Sequence, residues 1–462
     1  MSARRPDAGV VTAVLLVLAA GATVALTSPA ESTTPRGPAT SAVPVVRTAL
    51  ACPDLTPPAG RSASVRVGLA PAATGLRGGT VRTGPVGGPA RPSALARGAF
   101  QALPAGAEAA AVRADGPAAA GLFAARDDTT GHRALGVTGC PAPRARWWFT
   151  GAGAGLDHDS TLVLTNLDPG PAVVDLTVLG PDGPVDTVAG SGVLVPAGTS
   201  RRVALSDLAP RTDELALVVR AERGRVVATV DDTLRGSATA RRGQEWLPGT
   251  RAPARTLVLA GAPAQAARRT LLVANPTDRE AVVEVRLSGR GGAFTPTGFD
   301  PVSVAPGTLR AVDLTGVLAR AGDQPAVLLR SSQPVTASLR SRVGSDLSYA
   351  TAVDALTGPA AAPVPGGLRV GVTLTAAARA TGVRLTAYDA RGGQRGGTTL
   401  HLGPSATGAW TPPAGTAYVL VRPSRAGSVS GAVAYTGPGV ATLPLTPLPL
   451  RELRPAVRPG PP

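Results

Sequence analysis

Two pairs of adjacent carboxylates, Asp127-Asp128 and Asp231-Asp232, each followed by threonine, are the first residues of this chain that could do chemistry. Converging carboxylates bind calcium or act as acid and base on a glycan. Both pairs sit in apolar, strand-like runs, where neighbouring residues point to opposite faces, so neither pair is arranged to meet at one centre. Calcium needs six or more oxygens, and no Asp-rich loop supplies them. The pairs read as turn or edge-strand charges. His132, His158 and His401 are the only histidines, and their spacing matches neither a metal site nor a triad. No Gly-x-Ser-x-Gly elbow occurs, and Gly151-Ala-Gly-Ala-Gly155 lacks the lysine of a phosphate loop. The expectation is a protein that is not an enzyme, with no catalytic residue, metal or cofactor.

Cys52 and Cys140 are the only cysteines. An even count in an exported chain predicts a disulfide. Just beyond Cys140, Trp147-Trp148-Phe149 is the densest aromatic cluster in a chain that is only 3% aromatic. It serves either as a plug between modules or as a stacking platform for a sugar. Alternation puts Trp147 and Phe149 on one face, expected to be core, and Trp148 on the other. Trp246 occupies a similar position at the exit of the next module.

The elements that position these residues come from an internal repeat. The chain contains only two asparagines, Asn166 and Asn275, and they close the matching runs Thr161-Leu-Val-Leu-Thr-Asn166 and Thr270-Leu-Leu-Val-Ala-Asn275. The register persists: Ala172–Leu176 falls on Ala281–Val285, and Val195-Pro-Ala-Gly-Thr199 on Val304-Ala-Pro-Gly-Thr308. Both asparagines are expected to be structural turn residues. An apolar residue followed by Arg recurs at Val112-Arg113, Val219-Arg220, Leu329-Arg330 and Val421-Arg422, each before a further apolar strand. This reads as a recurring hairpin and counts four modules. Short strands separated by Gly, Pro and Asp predict an all-β fold of tandem immunoglobulin-like sandwiches. The modules are placed at 46–145, 146–252, 253–358 and 364–447. The middle two are close copies. The outer two are degenerate, as capping units of an array often are, and the fourth reads as shortened before Pro413-Ala-Gly-Thr416.

The termini are different. Residues 1–7 form a basic stub with Arg4 and Arg5. Residues 8–27 form an apolar run of transmembrane length, either an anchor or a cleaved signal with Ser28-Pro29-Ala30 as its small-residue site. Residues 28–45 read as a Pro/Ser/Thr linker, and 448–462 as a Pro-rich tail. In either case the bulk of the chain is expected outside the cytoplasm, on the cell membrane or secreted.

The formal net charge is +16, and all 46 basic residues are arginine. The absence of lysine and isoleucine follows the composition of a GC-rich genome. The charge favours polyanions, but no basic helix, zinc-finger spacing or RNA-binding motif is present, so nucleic acid is not the expected partner.

The stretch Cys140-Pro-Ala-Pro-Arg-Ala-Arg-Trp-Trp-Phe-Thr-Gly151, with Ser160–Asn166 and Val174–Gly183, resembles an uncharacterised actinobacterial family. Its members are secreted or singly anchored β-rich proteins, often beside or fused to a large membrane glycosyltransferase. The resemblance implies an envelope role and carries over no catalytic residue. The resulting expectation is a tethered sandwich array that binds an anionic cell-wall polymer or an envelope-assembly partner. The alternatives are a glycan-binding or accessory module of a glycosyltransferase complex and, further off, a glycan hydrolase.

Overall fold

The computed structural model describes residues 41–54, 61–71, 77–130, 134–234, 243–321 and 326–454. The apolar run at 8–27 and His132 lie outside the described residues. Among the described residues no helix is long and apolar enough to cross a membrane.

Residues Pro44–Arg451 form one compact body of four β-sandwiches. Every module has the same eight-strand plan. In the second, the strands are Arg146–Ala152, His158–Thr165, Ala172–Gly180, Gly183–Val185, Ser200–Ala204, Leu215–Arg223, Val227–Leu234 and Gly243–Leu247. The short segment Val193–Val195 also pairs with the third strand. One sheet runs first-sixth-third-fourth, the other fifth-second-seventh-eighth, and all described pairings are antiparallel. The alternation visible in the sequence supplies the core. Leu162 and Leu164 from one sheet meet Val174, Leu176 and Val178 from the other, all buried.

The recurring Arg motif is not a hairpin. Arg113, Arg220, Arg330 and Arg422 all lie on or close to the sixth strand, which pairs with the third, whereas the strand that follows belongs to the opposite sheet. The turn is therefore a corner between sheets. In the third module the two strands are one continuous run, Ala326–Val343, shared by both sheets. Both arrangements need the same alternating pattern, so periodicity cannot separate them.

The two asparagines sit where the second strand crosses to the third. Both are fully buried. Asn166 donates to the carbonyls of Gly170 (2.8 Å) and Val195 (3.0 Å) and accepts the Asp168 amide (2.9 Å). Asn275 repeats this with Arg279 (2.7 Å), Val304 (3.0 Å) and the Thr277 amide (3.1 Å). Each side chain ties one crossover loop to the next. Asn166→Ala would leave the buried Val195 carbonyl without this donor, with an expected loss of about 2 kcal/mol in urea unfolding.

The Pro-Ala-Gly-Thr turn has a local logic of its own. Gly198 and Gly307 adopt φ of 65° and 69°, and Thr199 and Thr308 cap the turn through their hydroxyls. In the fourth module the same chemistry, with Thr416 bonded to Pro413, joins the fifth strand to the sixth instead. The module keeps its eight strands, but only residues 403–406 separate its fourth strand from its fifth, where module two has residues 186–199. The fourth module uses the same turn at a different corner.

The modules close into a ring. The eighth strands, Ala134–Gly139, Gly243–Leu247, Asp346–Thr351 and Val440–Pro444, pack each against the next, and the fourth returns to the first. The outer modules are therefore not caps of an open array. Leu135 and Val137 of the first module complete the core of the fourth, and Leu347 and Tyr349 of the third complete that of the second. Phe100 of the first module stacks with Tyr418 of the fourth, Phe123 meets the same ring at a tilt of 53°, and Tyr388 stacks on Tyr418 at 5.1 Å.

The start of the expected tail is structured. Leu448 is buried, its amide bonds to Pro359, and the Leu450 carbonyl accepts the Val45 amide. Ser41–Pro44, the end of the expected linker, pairs with Arg451–Arg454 as a two-stranded ribbon.

Candidate functional site

Each eighth strand ends at one mouth of the ring, and the segments leaving them enclose a cavity of about 390 Å³. Gly139–Ala142, Pro248–Arg251, Ala352–Asp354 and Leu443–Pro449 line it, one segment from each module. Proline and aliphatic side chains dominate the wall. Such a volume suits a small organic molecule or a short length of polymer. Cys140 lies in the wall and is joined to Cys52, with Cα atoms 4.2 Å apart. The bond ties the first strand of module one to the exit of its last.

Trp147 also reaches this cavity. Its indole N–H donates to the Val226 carbonyl at 2.9 Å, and the Arg144 guanidinium lies 5.0 Å from its ring centre. Arg251 and Asp354 form an ion pair of 3.1 Å on the same wall. The three aromatics do not make a shared platform. Phe149 is fully buried in the module core, and Trp148 alternates to the other face of the strand, where its backbone carbonyl accepts the Thr250 amide at 2.7 Å. Strand alternation, which separated 147 and 149 from 148 in the sequence, is the reason. Trp246 is buried against Gly136 of the first module.

The adjacent carboxylates also separate. Asp127 pairs with Arg66, while Asp231 accepts from Gln244 and lies 3.5 Å from Arg202. Asp128 and Asp232 are fully buried. Asp232 anchors a buried polar cluster. Its Oδ1 accepts from His158 Nε2 at 2.9 Å and from the Ser160 hydroxyl, and its Oδ2 accepts from Tyr349 of the third module at 2.5 Å. The other imidazole nitrogen faces the Asp213 carbonyl. Carboxylate and carbonyl can only accept, so both ring nitrogens carry protons and the pair is ionic. Beside it Arg340 of module three grips Glu214 of module two with bonds of 2.9 and 2.5 Å.

Serine, histidine and aspartate meet here, but not as a nucleophilic triad. The carboxylate lies between the other two, so no imidazole can take the serine proton. The cluster is a staple between modules. His158 and the Asp232 motif were visible in the sequence. Glu214, Arg340 and Tyr349 were not, because their partners lie more than a hundred residues away. That Tyr349 is one of only four tyrosines was the single available hint.

A second staple lies on the ring axis. Asp346 Oδ2 accepts the amides of Val440 (2.9 Å) and Leu135 (3.2 Å), so one carboxyl of module three holds modules four and one. Burial raises its pKa to about 7, and Asp128 adds to this. Burial also drives Glu245 well above the usual range, with Asp346 and Asp128 reinforcing the shift. The folded state thus holds protons that the unfolded chain releases near pH 4. Stability must fall as pH rises from there through about 7. Asp346→Asn keeps an acceptor for both amides but no longer titrates. Its urea midpoint is expected to lose less between those limits than that of the wild type. Among the described residues no group of three or more His, Cys, Asp or Glu is disposed to hold a metal ion.

A search of curated proteins returns no match. The DUF5719 family, a family of unknown function, matches residues 100–413, from the fifth strand of module one into the fourth module. This match covers more than half of the chain, and the protein belongs to that family.

Proposed function

We propose that this protein is a non-enzymatic, membrane-tethered component of the cell envelope that binds an anionic wall polymer or an envelope-assembly partner. The observation that carries this reading is the use of its ionisable groups. The buried ones at the seam between modules two and three bond to each other, while in module four every arginine but the half-buried Arg422 is exposed. Across residues 364–447 seven arginines face a single aspartate. The Cys52–Cys140 bond and the basic stub before the apolar run at 8–27 support a place outside the cytoplasm. A rigid ring offers a broad, preorganised surface to such a partner.

Co-sedimentation of the full chain in detergent with isolated walls, at low and high salt, tests the reading. Retention that falls steeply with salt is expected. Salt-resistant retention would defeat the electrostatic part. The axial cavity favours a second reading, a glycan-binding or accessory module of a glycosyltransferase complex, because Trp147 is among the residues that line it. Quenching of tryptophan fluorescence by wall oligosaccharides, lost in Trp147→Leu, is its expected signature.

A further inference from the structure

The charge is unevenly spread. Residues 146–252 hold eleven arginines against thirteen carboxylates, whereas residues 364–447 hold seven against one. That one, Asp389, is engaged by the amides of Arg391 and Gly393 at the turn after the third strand of module four. Among the described residues none of the seven arginines forms an ion pair with a carboxylate.

Four of them gather at the opposite end of that strand. Arg384 and Arg422 are direct cross-strand partners, on the outer face of the sheet whose inner face carries Val383, Leu385 and Val421. Arg384 is exposed. Arg422 is half-buried and donates to the Pro71 carbonyl of module one at 2.7 Å. Exposed Arg379 and Arg425 sit in the two turns beside them, which are joined by a bond from Arg425 to the Ala380 carbonyl at 3.5 Å. His401 is exposed on the next strand, opposite Gly382. Like charges directly opposite each other on adjacent strands repel. Nothing among the described residues neutralises them, so an external anion would gain what the fold leaves uncompensated. Guanidinium forks match phosphate oxygens in pairs, and strands about 4.8 Å apart present successive forks as a row.

We propose that this outer end of module four, centred on Arg384 and Arg422 with Arg379 and Arg425 at its rim, is a docking surface for a linear polymer with repeating phosphates. This deepens the envelope reading above and rests on it. The polymer lies across the strands, and each guanidinium displaces a counterion from it.

The test uses the full chain in detergent and synthetic poly(glycerol phosphate) as the probe. The double variant Arg384→Gln/Arg422→Gln is compared with Arg220→Gln/Arg225→Gln, which removes the same charge from arginines already paired with Glu222 and Asp168. The first is expected to weaken binding by at least about tenfold at low salt and to flatten the plot of log affinity against log salt by about one to two units. The second is expected to change affinity less than about twofold. Melting temperature checks the fold, since relief of the repulsive pair is set against disturbance of the Arg422 bond to the Pro71 carbonyl. Equal losses in both variants would overturn the proposal by reducing it to net charge. So would stronger binding of polyglutamate or of single-stranded DNA of equal charge. If walls still retain Arg384→Gln/Arg422→Gln as well as wild type, the surface is wrong and the envelope reading stands. If wild type binds neither walls nor polymer, both fall.

Discussion

Asp232→Ala is expected to lower the unfolding free energy by about 3–5 kcal/mol, because it strands a buried imidazolium and takes the acceptor from Ser160 and Tyr349 at once. All of these groups are buried, so water cannot replace the lost carboxylate. Chemical denaturation measures the loss, and a value below about 1 kcal/mol would show that the staple is dispensable. The same pair sets a pH dependence. Burial by itself would lower the His158 pKa, but contact with Asp232 outweighs it and the net shift is upward. The stability that His158 contributes is therefore complete below its unfolded value, about 6.5, and is lost as pH rises through the folded value. For Asp232 burial pulls upward, and the charge and hydrogen bond of His158, with bonds from Ser160 and Tyr349, win downward. Its contribution is present above about pH 3.9 and lost as pH falls through the folded value. His158→Gln should remove the alkaline loss while leaving the limb that belongs to Asp346.

Removing the Cys52–Cys140 bond, as Cys52→Ala/Cys140→Ala, is expected to cost about 4–5 kcal/mol. The two residues are 88 apart, and the cost of closing so long a loop then falls wholly on folding. Both cysteines are buried in the core of module one, and Cys140 also lines the axial cavity. The loss should therefore appear as a lower denaturation midpoint and as weaker quenching of Trp147 by any cavity ligand. An unchanged midpoint after reduction, with both thiols shown to be free, would refute this account.

The repeat shows how much of this protein could be read in one dimension. Asn166 and Asn275 could be matched because each serves its own module, bonding to carbonyls 4 and 29 residues ahead. Turn glycines, strand alternation and the disulfide obey the same local or intramodular rules. The corner between sheets at Val219-Arg220 was read as a hairpin because apolar alternation is identical in both arrangements. The exit cavity could not be read at all, since its wall takes four segments spread from Gly139 to Pro449.

By itself, then, the sequence determined the sandwich class, the number of modules, the asparagine turns and the cysteine pairing. These depend on contacts within a module, where backbone periodicity and turn chemistry leave a direct trace. Only the tertiary structure decided that the modules close into a ring, that Asp232 and Asp346 are staples, and that four arginines of module four gather at one end of a sheet with no ion-pair partner among the described residues. Those outcomes rest on packing between modules. A strand that buries one face in its own core and the other against a neighbour looks the same in sequence as a strand at an open edge. Asp346, for example, gains its partners Leu135 and Val440 only when the third module meets the first and the fourth.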